Sequence, residues 1–454
     1  MTDATIGGLA APASVYPKTS LMAQSPLTRR RNAAESRFKA YGIAAIVLSL
    51  ATLGFMLVTI LSDGVSAFFQ AKLSFPVELT AETLDPVGNR NRADMVKITT
   101  LGYNKVLAEA FQKELTAKGI AVAGQSDKDV ADVVSKDAAG KLRALVLANP
   151  EIVGTTIDAT VLATGRVDGY LKGRVTSETA LRDSNVTPEQ LQLADQLRDA
   201  GILKSVFNWD FITLPDASDQ RPEAAGLGVA ILGSAYMMLL VLVTCVPVGV
   251  AASIYLEEFA PKNVWTDAIE VNISNLAAVP SIVFGILGLA IFINFAGLPN
   301  SSSIVGALVL TLMTLPTIII ATRASIKAVP PSIRDAALGI GASKMQMVFH
   351  HVLPLAMPGI LTGTILGLAS ALGETAPLLL IGMVAFVDNY PSSPLDGGFL
   401  EPATALPVQV YGWAQRADPA FIERSSGAII LLLAFLVVMN IMAILLRRRF
   451  ERRW

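Results

Sequence analysis

Charge is scarce in this chain. Of its 454 residues only 16% are charged while 52% are hydrophobic, and the mean hydropathy is +0.53. That balance is too apolar for a soluble globular protein of this length and points to a polytopic membrane protein. Residues 271–322 carry no charged side chain, and neither do residues 355–373. Cysteine is almost absent. The single Cys245 excludes an intramolecular disulfide and a cysteine-rich metal site, and its place in an apolar run reads as a small buried residue. The two histidines, His350 and His351, point about 100° apart if they lie on a helix. No carboxylate or cysteine lies near them in sequence, so they read as polar positions at an interface rather than as metal ligands. No glycine-rich stretch ends in Gly-Lys-Ser/Thr, which excludes a P-loop, and no nucleophile-and-base constellation marks an enzyme. The net charge of −1, with basic residues gathered at the edges of apolar runs, gives no sign of nucleic-acid binding.

What the chain has in abundance is long apolar segments. A spanning helix needs about 20 predominantly apolar residues. Residues 40–62 supply the first, and with residues 1–39 ahead of it a cleavable signal peptide is not expected. Residues 224–256 supply the second, with room to tilt or to end in an interfacial turn near Pro247. Residues 271–322 are too long for one helix and are interrupted at 294–303 (NFAGLPNSSS), so they hold the third and fourth. A fifth is expected to start near Pro354 to Pro358, and residues 425–446 form the sixth.

Six spans put both termini on one side, and the positive-inside rule makes that side cytoplasmic. Arg29, Arg30, Arg31, Arg37 and Lys39 precede the first span. Arg323, Lys327, Arg334 and Lys344 lie in the loop before the fifth, and Arg447, Arg448, Arg449, Arg452 and Arg453 follow the last. Residues 388–424, with five acidic and two basic side chains, fall outside. Residues 257–267 run against the trend, being net acidic on the cytoplasmic face. The tail 1–39, rich in Ala, Ser and Pro at its start, is predicted to be disordered, and residues 447–454 form a basic cytoplasmic tail.

Residues 63–223, between the first two spans, are long enough for a small domain with its own core. Residues 102–119 have helical apolar spacing ending in glycine. Residues 187–201 pair Thr187 as N-cap with Gln190 three residues on. The β-branched segments 152–162 and 169–175 are expected to be strands. The expectation is a mixed α/β extracytoplasmic domain.

Residues 334–354 (RDAALGIGASKMQMVFHHVLP) form a charged segment wedged between two uncharged runs. Asp335, Ala336 and Ala337 are followed four residues on by Gly341, and then by Leu353 and Pro354. Small residues permit close backbone approach to a partner, the glycine breaks the helix so that two arms lie at an angle, and Asp335 near the helix start favours the positive dipole end. This pattern resembles the EAA loop of ABC-importer permeases, which docks into the ATPase, with Asp335 in place of Glu and His351 in place of Ile. Residues 225–259, 272–292 (containing VPSIVFG), 315–344 and 373–380 (GETAPLLL) resemble, more narrowly, the phosphate-uptake ABC transporter permeases of the PstA type. The resemblance covers roughly residues 207–446 and leaves residues 63–223 as a large insertion.

The resemblance implies an all-α polytopic membrane protein of the type I ABC importer permease fold, with six transmembrane helices and the α/β extracytoplasmic domain added. The core would be residues 224–446, carrying five of the six transmembrane helices, with its coupling loop at 323–354. It implies a transport subunit, not an enzyme, that moves inorganic phosphate by alternating access. A permease for another oxyanion (molybdate or sulfate) and a membrane sensor reading an external ligand are the alternatives. Its partners would be a PstC-like permease, two ATPase subunits that use the ATP and Mg, and an extracytoplasmic phosphate-binding protein. The chain itself would bind no cofactor and no metal, and would sit in the inner membrane among lipid.

Glu374 is the residue in the candidate path that needs explaining. A carboxylate within an apolar segment costs on the order of 3 kcal/mol on insertion scales and usually faces a cavity or a partner charge. Gly373 and Pro377 around it predict a broken helix, and irregular backbone at membrane depth is tolerated where it lines a cavity, which would expose Thr375 to a passing anion. In the family an arginine commonly stands where this chain has Ser370, and another where it has Ile320. Arg323, one turn after Ile320, is the candidate cation, with a positive-inside anchor as its other reading.

Overall fold

The computed structural model describes residues 26–120, 126–183, 185–383 and 386–450. Most of the tail expected to be disordered, and Arg452 and Arg453, lie outside the described residues. The chain divides into two compact units, residues 1–59 and 60–454.

In the first unit residues 26–39, expected in the disordered tail, are helical. Helix α1 (Pro26–Gly64) starts at a proline, which suits a first turn, and carries a Glu35–Lys39 pair of i,i+4 spacing at 2.7 Å. Its 39 residues amount to about 58 Å of helix, longer than the apolar stretch alone requires.

The second unit opens with a three-stranded antiparallel sheet of order β2–β1–β3, in which β1 (Phe69–Glu78) is central, β2 is Thr156–Leu162 and β3 is Leu203–Phe207. Leu73 pairs with Val161 on one side and Leu203 on the other. Helices α2 (Thr100–Ala117), α3 (Asp137–Ala148) and α5 (Pro188–Asp199) contribute Tyr103, Phe111, Val146 and Leu193 to the core around Leu73, Phe75 and Val77. The Thr187 cap is present, with Gln190 returning the hydrogen bond to the Thr187 amide.

Two strand expectations need correction. Residues 169–175 are not a strand: helix α4 (Gly165–Leu171) takes the first three and a turn takes the rest, with an Asp168–Lys172 pair at 2.7 Å bracing the helix and Gly173 at φ +75° ending it. In the segment 152–162, strand pairing starts only at Thr156, because Ile152 ends a short 3₁₀ turn.

The membrane-spanning part holds α6 (Gly228–Phe259), α9 (Ser303–Lys327), α11 (Lys344–Leu372) and α14 (Pro419–Phe450). With α1 these are the five helices long and apolar enough to cross a bilayer among the described residues. The pair α7 (Val264–Ala277) and α8 (Ser281–Phe295) is long and apolar enough only when taken together, and it is bent by 102° between the two helices. The expected third span is therefore not one straight helix. Pro280 has no amide proton to continue the ladder, and the chain turns there.

Pro247, expected to mark a turn, lies inside α6, which continues to a widened turn at Tyr255–Phe259. The fifth span likewise begins ten residues before Pro354. Ser343 and Gln346 cap its start reciprocally, and a widened turn at Met347–Val352 re-registers the backbone ahead of the proline.

Helices α9 and α11 approach closely through Gly359, Gly363 and Gly367, which face Ser325, Ala321 and Thr314. This is the small-residue packing that membrane helices favour, lipid providing no hydrophobic drive of its own. Cys245 is buried in the same core, against the Thr311 carbonyl.

Candidate functional site

The hairpin α10 (Pro331–Gly339) and the start of α11 carry the first group of site residues. Gly341 sits at φ +91°, a conformation L side chains rarely adopt, and it turns the chain between the two arms. Ala337 is buried against Ile254, Ile326, Met347, Val348 and Val352, so the hairpin is seated on the ends of α6 and α9. Asp335 and Ala336 are exposed on the opposite face. Asp335 lies in the second turn of α10, not the first, so the dipole argument made for it loses its force beyond the first turn. Leu338, Ile340, Met345 and Phe349 are exposed beside it, Ile340 to 82%, which gives the hairpin an apolar tip. Leu353 and Pro354 are half-buried within α11. His350 and His351 are both exposed, and no group of three metal-ligating side chains occurs among the described residues.

The acidic residues near 257 that ran against the charge rule have a local reason. Glu258 accepts from Arg334 at 2.9 and 3.1 Å, and the same guanidinium donates to the carbonyls of Val329 and Ile326. Glu257 takes Arg323 at 3.4 Å and Lys327 at 3.5 Å, and Glu270 takes Arg323 at 2.5 Å. Lys344 lies over the Phe259 ring, 5.3 Å from its centroid. These contacts tie the last turn of α6, the first helix of the bent pair, the end of α9 and both arms of the hairpin into one assembly. Arg323, the candidate cation of the path, is thus engaged by two carboxylates. Sequence reasoning had marked the acidic run at 257–267 only as an exception to the charge rule and had given Glu257, Glu258 and Glu270 no partner or role.

The second group forms where two distant strings meet. α11 ends at Leu372, Gly373 caps it, and α12 (Ala376–Leu380) starts after Glu374 and Thr375, so the expected break is present. A Cβ at Gly285 would lie 2.7 Å from Pro377 Cα and 3.1 Å from Leu380. The VPSIVFG and GETAPLLL segments therefore pack backbone to backbone. Glu374 is half-buried on this break, and its carboxylate has no hydrogen bond or ion pair among the described residues. Thr375 is also half-buried, while Gly373, Ser370 and Ile320 are exposed. The Ser370 hydroxyl bonds back to the Leu366 carbonyl.

A third polar cluster, unmarked in the sequence reading, joins the sheet domain to the head of α14. Glu423 accepts from Lys172 at 2.9 Å and from Arg174. Arg424 donates to the carbonyls of Ala225 and Glu223 and to Gln70 Oε1 at 2.6 to 2.9 Å. Asp216 accepts from Gln409, Trp413 and Arg416 of helix α13 (Leu406–Ala414) and the turn after it. Glu423, Arg424 and Asp216 are all buried. The only sequence signal for this cluster was charge immediately ahead of an apolar run.

The chain matches known membrane transport proteins. Residues 246–454 match the family described as binding-protein-dependent transport system inner membrane component, and residues 26–180 match a domain of unknown function, DUF3333. The chain is 33% identical over 254 residues to phosphate transport system permease protein PstA 2 of Mycobacterium bovis, covering 55% of this chain and 79% of that protein. It is 31% identical over 218 residues to the probable ABC transporter permease protein YqgI of Bacillus subtilis, covering 46% and 73%. The PstA protein of Yersinia pestis is 32% identical over 225 residues, covering 49% and 73%. Fold and site together define the permease component of a binding-protein-dependent ABC importer, a multi-pass membrane subunit of the type I permease fold. Within that class the chain belongs to the PstA permease family, with an additional N-terminal domain.

Proposed function

We propose that this permease carries inorganic phosphate inward across the cytoplasmic membrane by alternating access, paired with a PstC-like permease and driven by two separate ATPase subunits that use ATP and Mg. The observation that carries the reading is the packing of VPSIVFG on GETAPLLL around a broken helix bearing an unpaired Glu374, in a chain whose relatives include phosphate permeases. The hairpin around Asp335, Ala336, Ala337 and Gly341 inserts its apolar tip into an ATPase groove. The ion pairs of Arg334 and Arg323 then pass its movement to α6 and α9. Both termini and the hairpin are cytoplasmic, and residues 63–223 form an extracytoplasmic domain beside which the phosphate-binding protein docks. Because Arg323 is neutralised by Glu257 and Glu270, and Ser370 and Ile320 stand where the family often has arginine, the compensating cations for phosphate come from the partner permease.

The test is ATP-dependent uptake of labelled phosphate into vesicles holding the assembled importer. Gly341→Asp is expected to abolish uptake together with ATPase association. Glu374→Gln is expected to lower uptake with assembly intact. An assembled wild-type complex that ignores phosphate and carries another oxyanion would overturn the substrate while leaving the permease class in place.

A further inference from the structure

We infer that the sheet domain carries its own membrane-contact surface, an aromatic wedge of Phe69, Phe207 and Trp209 seated in the phospholipid interface of the leaflet on the domain's side. The three rings are exposed to 44%, 40% and 66%. They form one group: Phe207 lies 4.9 Å from Trp209 and 6.0 Å from Phe69, centroid to centroid. Phe68 continues the run inward to the fully buried Phe211, at 5.3 Å. The wedge is thus anchored to the core and open at its outer end.

Its height relative to the bilayer follows from the last span, which packs beside it. α1 is uncharged over residues 40–62 and ends at Gly64, whose Cβ would lie 2.7 Å from Ser426 backbone and the Ile430 side chain. α14 is charged or hydroxylated over residues 423–426 and uncharged from 427 to 446. Gly427 in turn packs on Ala67 and Phe211. α14 therefore leaves the hydrocarbon near Gly427, against which Ala67 packs, and Phe69 follows two residues after Ala67. Tryptophan, with an apolar ring and a polar N–H, collects at this depth, and water is a poor environment for the two apolar phenylalanine rings grouped with Trp209. Lys204, exposed and without an ion-pair partner among the described residues, stands on the same strand three residues before Phe207. That is about 10 Å away, within the zone of lipid phosphates. The surface fits phospholipid at the boundary of this span.

The full chain has four tryptophans. With Trp265→Phe and Trp454→Phe in place, Trp209 and the buried Trp413 remain, and subtracting the emission of a further Trp209→Phe variant isolates Trp209. In vesicles of phosphatidylcholine brominated near the headgroup end of the acyl chain, Trp209 should lose most of its emission. It should lose less with bromine near the chain terminus, and little to aqueous acrylamide. Strong acrylamide quenching with no effect of bromolipid would overturn the inference in favour of a water-exposed patch. Resistance to both quenchers only in the assembled importer would overturn it in favour of a surface covered by a partner subunit.

Discussion

At the scale of single residues, the buried Glu223 and the half-buried Asp210 differ by what surrounds them. Glu223 lies under the sheet domain, and burial pushes its carboxyl above the usual range, partly offset by hydrogen bonds from Ser135 Oγ and the Gly165 amide and by the charge of Arg424. A folded-state pKa above the unfolded value means that the native chain keeps its proton where the unfolded chain has already released it. The stability this group contributes is full below the unfolded value near 4.5 and is lost as pH rises through the folded one. Asp210 behaves in the opposite sense. Burial alone would raise its pKa, but Lys141 and Lys72 outweigh it and hold it lowered, so its contribution is lost on acidification. Only a difference between variants separates the two. Glu223→Gln should melt with a weaker loss of stability than wild type as pH is raised from the carboxylate range upward. A wild-type-minus-variant difference that stays flat with pH would show that Glu223 does not titrate in that window.

At the scale of elements, glycine decides where helices touch. Gly363 of α11 has no room for a side chain: even a Cβ would lie 2.3 Å from the Ala321 Cβ of α9. Gly363→Val is expected to cost about 1–3 kcal/mol, as overpacking of a filled interface does, lowering the melting temperature and detergent resistance. Gly412→Ala, where nothing lies within 4 Å, should be neutral or slightly stabilising because alanine is the better helix former. Equal tolerance at both positions would mean that α9 and α11 are held apart. The Gly-x-x-x-Gly-x-x-x-Gly spacing that sets this contact was present in the sequence but hidden inside a run read only for its length. Length and apolarity located the spans well. They could not show the 102° bend before α8, because Pro280 interrupts an otherwise uncharged run, nor the helical start of α11 at Lys344, because a polar helix and a polar loop have similar composition. The hairpin and the break at Glu374 were legible because Gly341 and Gly373–Pro377 interrupt otherwise regular patterns. The partners of Arg323, Arg334 and Arg424 were not legible, since ion pairs between distant segments leave no periodic trace. Strand β1 was also missed, although its odd-numbered positions Ala71, Leu73, Phe75 and Val77 form a buried alternation.

At the scale of the whole molecule, a buried ionic junction joins the added domain to the last span. Glu423 stands at the centre of the junction, buried and holding Lys172 and Arg174, while Asp168 shares both cations from the domain side. Such a group gains little over apolar packing when intact, because the ions were taken from water, but removing one member strands the others in a dry site. The cost is then about 3–5 kcal/mol. Glu423→Gln should accordingly lower the thermal stability of the whole second unit and open the segment around residues 165–175 to protease. Replacing Lys172, Arg174 and Glu423 together by apolar side chains of similar volume, with Asp168→Asn to keep an acceptor for the buried Ala71 amide, should restore much of the stability. If the single variant melts like wild type with the segment still protected, the junction is held by Arg424 and the contacts of Gly427 with Ala67 and Phe211, and the charges are incidental. If it melts early while the quadruple variant recovers, the charges set the register between domain and span. A force on the domain would then reach α14 without an intervening hinge.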